Sequence, residues 1–250
     1  MRILFTICGR AGSKGIKNKN IRLFHGKYLP YYTISAIDLF LKQCNGIIEF
    51  DIVVNTDSIE LMDIMKKNGM RPIEIIERHS DLGGDAVAKI DVIRDCLEKM
   101  ETRKNTDYDV VVDLDITSPL RTVGNLIELI KVYDEKKADV TTSVASARRN
   151  PYFNQLKKTE YGYKKVIESN YTSRQQAPEI FDMNASMYAY NPKYLKKGKG
   201  VLDGYVECIE MYDTGILDID HENDFELMEV IAGYLFDNNK QFGEIYNNIQ

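Results

Sequence analysis

Through its first 145 residues this chain alternates short apolar runs with amphipathic stretches, and that rhythm constrains the fold more than any other feature. Residues 3–8 read as a buried strand, and residues 30–41 as a helix with a proline at its start and apolar residues at helical spacing. Residues 52–56 read as a strand running into Asp57-Ser58, and Ser58 suits the cap of a helix over 59–67. The pattern continues with a strand at 71–76, a helix over 85–100, a strand at 110–114, a helix over 123–136 and a strand at 139–144. Such a βαβα order predicts an α/β fold, a mostly parallel, doubly wound, Rossmann-like sheet with helices on both faces. Ligands of such sheets bind outside the carboxyl ends of the strands. The segments following the strands are therefore where function is sought.

The segment after the first strand is Gly9-Arg10-Ala11-Gly12-Ser13-Lys14-Gly15-Ile16-Lys17-Asn18-Lys19-Asn20. Three glycines permit a tight loop and close backbone approach to a ligand. Arg10, Lys14, Lys17, Lys19 and Arg22 place five cations within thirteen positions of a chain whose net charge is -5. A basic loop on an acidic protein suits a compact, highly charged anion such as a nucleoside triphosphate; a solvated surface loop is the plainer alternative. The order Gly12-Ser13-Lys14 breaks the P-loop pattern. The Gly9-x-x-Gly12-x-x-Gly15 spacing lacks the close glycine pair of a dinucleotide fingerprint, which disfavours a redox enzyme. What the loop resembles is the Arg-x-x-Ser-Lys-Gly-x-x-x-Lys-Asn signature of the sugar-acid cytidylyltransferases, the acylneuraminate cytidylyltransferase family, matched by Arg10, Ser13, Lys14, Gly15, Lys19 and Asn20.

Three further segments carry the resemblance, which spans residues 3 to about 232. Asp218-Ile219-Asp220, with Asp224 four residues on, matches the family's Asp-x-Asp metal motif. On extended backbone positions 218 and 220 share a side, and two such carboxylates suit Mg2+. Asp224 alternatively opens or caps the last helix. Asp115-Ile116-Thr117-Ser118-Pro119-Leu120-Arg121 matches the family's Thr-Ser-Pro-Leu-Arg, but Asp115 stands where Gln is usual and Ile116 where Pro is usual. An aspartate there repels a carboxylate and accepts from amide N–H or hydroxyl groups. Residues 147–154, 173–178 and 182–186 resemble the branch that activates legionaminic acid. The resemblance gives Arg174 a sugar-acid carboxylate to bind, and Gln175, Gln176 and Asn184 its hydroxyl or acetamido groups. Arg148 and Arg149 suit substrate contact or an ion pair across a dimer. Arg78 falls where the family places an arginine near the nucleotide. Gly83-Gly84-Asp85 opens either an anion-binding helix or an ordinary turn.

The resemblance implies transfer of a cytidylyl group from CTP to a nine-carbon nonulosonic acid, legionaminic or N-acetylneuraminic. Alternatives are a CMP-Kdo-type synthetase and a non-catalytic nucleotide-binding protein on the same fold. The implied nucleotide contacts are Gly9, Arg10, Gly12, Ser13, Lys14, Lys19, Asn20, Arg78 and Gly84. Asp115, Thr117, Ser118, Arg174, Gln175, Gln176 and Asn184 fall to the sugar acid, and Asp218 and Asp220 to Mg2+. Lys19, Arg10, Lys14 and Asp218 bear most directly on the chemistry. Residues 1–145 and 183–250 form the expected core. Residues 146–182, polar, aromatic and without sustained period, form an extension that in the family pairs two subunits, so a homodimer is expected.

Composition closes off other classes. No run of 18 apolar residues exists, which disfavours a transmembrane span. Residues 1–10 lack a signal-peptide core. The acidic balance disfavours nucleic-acid binding. Cys8, Cys44, Cys96 and Cys208 lack metal-type spacing and read as reduced thiols, three of them buried, in a cytoplasmic protein. His25, His79 and His221 read as surface histidines, and residues 237–250, rich in Asn, as an exposed end.

Overall fold

A computed structural model describes residues 1–12, 15–84, 87–214 and 218–249. In chain order its elements are β1 (Arg2–Cys8), β2 (Leu23–Phe24), β3 (Lys27–Tyr28), α1 (Leu29–Gln43), β4 (Glu49–Thr56), α2 (Ile59–Lys66), β5 (Glu74–Glu77) and α3 (Lys89–Lys104). They continue with β6 (Val110–Leu114), α4 (Val123–Lys136), β7 (Val140–Ser146), β8 (Leu156–Thr159), β9 (Gly162–Lys165), β10 (Phe181–Tyr190), α5 (Pro192–Leu195), β11 (Val206–Glu210), α6 (Glu222–Asn238) and α7 (Lys240–Asn248). Seven strands form one sheet in the order β11-β7-β10-β6-β1-β4-β5. All neighbours pair in parallel except β10, which is antiparallel to both β6 and β7. The parallel α/β architecture read from the sequence is therefore present, with one reversed strand inside it.

Alternation along β1 divides the core. Ile3, Phe5 and Ile7 enter the larger cluster with side chains of α1, α4, α6 and α7, while Leu4 joins α3 and α5 on the other face. Twelve of the fifteen residues of α1 are buried, which its near-continuous apolar sequence requires. Local chemistry sets the helix ends. Ser58 accepts from the Leu61 N–H to cap α2, Thr122 and Asn125 form a reciprocal capping box on α4, and Asn105 and Lys137 close α3 and α4 in the left-handed region.

Six expectations change. The strand expected at 71–76 is β5, Glu74–Glu77, because Pro72 cannot donate to a ladder. The helix expected from 85 starts at Lys89, so Gly83 and Gly84 lie in the turn before it and offer no helix N-terminus; Asp85 lies outside the described residues. Residues 146–182, read as without sustained period, contain a hairpin, β8–β9, and the start of β10, Phe181–Tyr190. The expected exposed end is instead α7, whose Phe242 and Ile245, followed by Ile249, bury an i, i+3, i+7 stripe against the core. Of the cysteines only Cys96 is buried; Cys8 and Cys44 are half-buried and Cys208 exposed. His25 is no surface histidine: it packs edge-on against Phe24, Phe236 and Tyr246, with Nε2 2.5 Å from the Glu229 carbonyl.

Candidate active site

The strands β1, β4 and β6 end side by side, and the loops that leave them enclose a cavity of about 430 Å3. Arg10, Gly15, Lys19 and Asn20 line it from the glycine loop, and Arg78 and Gly84 from the turn after β5. Lys89 enters from the first position of α3, Asp115 and Thr117 from the loop after β6, and Asp218 and Asp220 from the turn before α6. Elements distant in sequence thus meet at the strand edge where α/β sheets place ligands.

The glycine loop is held from both ends. Gly9 N–H donates to the Asn55 carbonyl, Ala11 N–H to Asp57, and Asn20 Nδ2 to the Arg10 carbonyl at 3.0 Å. Gly12 has φ +72°, a left-handed conformation suited to glycine. Gly15 serves a different purpose: a Cβ there would sit 2.0 Å from the Asp220 carbonyl oxygen, so only glycine lets the loop reach the acidic turn. Lys19 fastens the same junction, donating to the Ile219 carbonyl at 2.6 Å and to Asp220 Oδ1 at 3.1 Å. Ser13 and Lys14 lie outside the described residues. Arg78 is buried and fixed by the Asn55 side chain and carbonyl, at 2.7 and 3.1 Å.

The acidic turn carries surplus negative charge. Burial, then Asp220 and Asp115 nearby, push the Asp218 carboxyl up to about 6, against the pull of Lys19. Asp224 is committed elsewhere: its Oδ2 accepts from the Asp220 and His221 backbone N–H groups, capping α6. Among the described residues no three His, Cys, Asp or Glu side chains converge as a metal cage. Two carboxylates facing one cavity nonetheless fit Mg2+, which keeps several waters and takes its other ligands from substrate phosphates. The crowded charge at Asp218 is what a cation there would relieve.

Asp115 has the opposite environment. Burial alone would raise its carboxyl, but the Lys89 ammonium at 2.7 Å and the Thr117 N–H and hydroxyl, both at 2.9 Å, hold it down at about 2. Lys89 also lies 2.7 Å from Asp113, a fully buried carboxylate at the end of β6 whose Oδ1 accepts from Thr6. Burial would lower the Lys89 pKa, yet the two carboxylates raise it well above the usual lysine value. Beneath them Arg121, fully buried, donates to the carbonyls of Asp115 and Ser118 and to the side chains of Thr33 and Ser186, and so sets the course of the 115–121 loop. Sequence reasoning named Arg121 only as a motif match and passed over Lys89, which reads there as an ordinary helical lysine.

Other predicted residues lie elsewhere. Arg174 and Gln175 line a separate cavity of about 460 Å3 with Ser146, Asn150 and Pro178, and Arg174 donates to the Ala147 carbonyl. Gln176 accepts from the Thr172 N–H and hydroxyl. Asn184 is buried, bonded to Ser143 at 2.6 Å, and shares a small cavity with Ser118. Arg148 pairs with Asp213 of the same chain at 2.8 Å.

A cytidylyltransferase family profile matches residues 4–240. The chain belongs to the cytidylyltransferase family. It is 34% identical over 229 residues to the post-translational flagellin modification protein B of Campylobacter coli, and equally so to a CMP-N,N'-diacetyllegionaminic acid synthase of Campylobacter jejuni. Each alignment covers 92% of this chain and 94% of the relative. An N-acylneuraminate cytidylyltransferase of Streptococcus agalactiae is 27% identical over 95% of the chain, which spans 54% of that longer relative. Among solved structures, a CMP:2-keto-3-deoxy-manno-octonic acid synthetase complexed with CTP aligns with a TM-score of 0.65 at 15% identity, covering 93% of this chain and 99% of the other, a likeness of fold. This cytidylyltransferase is thus a nucleotidyl-transferring enzyme on the fold its strand order predicts, and among the described residues no helix is long and apolar enough to cross a membrane.

Proposed function

We propose that this cytidylyltransferase joins CTP to a nine-carbon nonulosonic acid of the legionaminic class, releasing pyrophosphate. The observation that carries the reading is one cavity in which the cations Arg10, Lys19 and Arg78 face the carboxylates Asp218 and Asp220, with Asp115 and Thr117 on the adjoining wall. A triphosphate fits the cationic side, and a polyhydroxylated acceptor fits the wall built on Asp115. The relatives named for legionaminate and acylneuraminate chemistry support the same pairing of substrates.

In this reading Arg10 and Lys19, with Lys14 from the same loop, hold the triphosphate and offset charge on the departing pyrophosphate. Gly9, Gly12, Ser13 and Gly84 give the phosphates backbone approach, Asn20 keeps the loop closed, and Arg78 faces the nucleotide. Asp218 and Asp220 hold Mg2+, which supplies charge neutralisation at the phosphates. The anomeric hydroxyl of the sugar acid attacks the α-phosphorus in line, and much of the rate comes from holding the two substrates in register. Arg174, Gln175, Gln176, Ser118 and Asn184 serve the sugar acid or the shape of its site. The extension at 146–182 exposes Leu156, Tyr161, Tyr163 and Phe181, which supports a homodimer through this segment. We place the enzyme in the cytoplasm, where CTP is made.

The test is pyrophosphate release with CTP and Mg2+, comparing N,N'-diacetyllegionaminic acid with N-acetylneuraminic acid at equal concentration. Preference for the legionaminate is expected. Preference for N-acetylneuraminate keeps the reaction and overturns the acceptor, and release with neither overturns the reading.

A further inference from the structure

Lys89 occupies a position that local energetics oppose. It is the first residue of α3, where the helix dipole disfavours a cation, and its side chain turns into the cavity to lie 2.7 Å from both Asp113 and Asp115. Apart from the Lys89 ammonium at 2.7 Å, Asp113 Oδ2 has no polar partner among the described residues, so the ammonium supplies both its donor and its counter-charge. An ammonium has three N–H donors and an ionised carboxylate about four acceptor positions. Two of the Lys89 donors face Asp113 and Asp115. Three of the Asp115 positions are taken by Lys89, the Thr117 N–H and the Thr117 hydroxyl. One donor and one acceptor are left side by side, on two residues that both line the cavity.

The charge around the pair is balanced, Lys89 and Arg121 against Asp113 and Asp115, unlike the cationic wall of Arg10, Lys19 and Arg78. A balanced, partly dehydrated wall admits a neutral polar group and repels an anion from its carboxylates. One atom that accepts from the ammonium while donating to the carboxylate closes the triangle, and a hydroxyl oxygen does both. A trans amide holds its N–H and C=O in one plane but on opposite sides of the C–N bond, so no single atom of it does both. We infer that Lys89, together with Asp115, recognises one hydroxyl of the acceptor sugar, making Lys89 a specificity-determining contact. This rests on the transfer reaction proposed above and names what its acceptor must present.

The experiment measures initial rates with CTP and N,N'-diacetyllegionaminic acid, and with its mono-deoxy analogues, on the wild type, Lys89→Met and Lys89→Arg, with CTP affinity by calorimetry. One deoxy analogue is expected to lose about 10,000-fold in kcat/KM on the wild type, the scale at which sites built to hydrogen-bond a hydroxyl reject its absence. On Lys89→Met the discrimination between the same analogue and its parent should fall at least about tenfold, Asp115 keeping the remainder, with CTP affinity unchanged, and Lys89→Arg should restore part of it. Damage to folding lowers both rates together and leaves their ratio unmoved, so Lys89→Arg and the ratio keep the test sharp if Lys89→Met is unstable. The inference is overturned if no analogue discriminates on the wild type, if Lys89→Met keeps the full discrimination, or if it weakens CTP binding as much as acceptor use. Wild-type turnover of the parent acid in the same assay reports separately on the transfer itself, and its absence takes both readings down.

Discussion

The cavity at the strand edge and the 146–182 excursion are built on opposite principles. Around the cavity nearly every polar group is held by another: Lys19 by Asp220 and the Ile219 carbonyl, Arg78 by Asn55, Asp115 by Lys89 and Thr117, all on loops anchored to buried strands. The excursion has a two-stranded hairpin detached from the main sheet, large exposed apolar side chains, and a second cavity lined by its own residues. Preorganisation suits a site that must place a phosphate and a nucleophile within tenths of an ångström. Exposed large side chains such as Leu156, Tyr161 and Tyr163, set among lysines, suit a surface that a second body covers. The difference teaches where rigidity is invested: in the loops around the cavity, and less in the exposed hairpin of the excursion.

The contrast breaks first, and hardest, at Lys19. Lys19→Ala should cut turnover about 1,000-fold, the upper range for losing one donor to developing charge, with an unchanged circular dichroism spectrum; near-normal turnover would remove its assigned role. Gly15→Ala forces the loop off the Asp220 carbonyl and should cost about 100-fold, as misplacement by an ångström does, which steady-state rates would report. Arg121→Met leaves buried carbonyls and hydroxyls without their donor and should cost about 3 kcal/mol, measured by denaturant melts. Asp218 sharpens the comparison through pH. Its carboxyl is raised to about 6, so the folded metal-free protein favours the protonated form. The stability this contributes is present below about pH 4 and is lost as pH rises through about 6. Mg2+ binds the ionised form, so its affinity should fall about tenfold per pH unit below 6, and calorimetry at pH 7.5 and 5.5 would show it. The smallest expected effect lies in the excursion. Tyr163→Ser should change monomer stability by less than about 0.5 kcal/mol while weakening self-association in sedimentation.

Much of the parallel sheet was legible because β1, β4 and β6 are short apolar runs bounded by polar turns, and the glycine loop was legible because its residue types are costly anywhere but at a tight, charged site. The direction of β10 was not: a strand buried on both faces reads alike in either direction. The end of the chain was misread through its asparagines, although Phe242, Ile245 and Ile249 carry a helical stripe. Lys89 was invisible for a different reason. Its partners, Asp113 and Asp115, stand more than twenty residues away, and only the pairing of β6 beside β1 brings them beneath α3.

The reversed strand has one more consequence. Because β10 runs back beside β7, Phe181 pairs with Ser146, and the excursion leaves and returns through adjacent strand ends. Its closure is secured by the sheet whatever its contents, and the entropy of a longer loop grows only with the logarithm of its length. Residues 147–180 are therefore an exchangeable cassette: a lineage, or an engineer, can lengthen, replace or re-surface them without rethreading the sheet or disturbing the glycine loop, so this end is free to vary separately from the cavity at the strand edge.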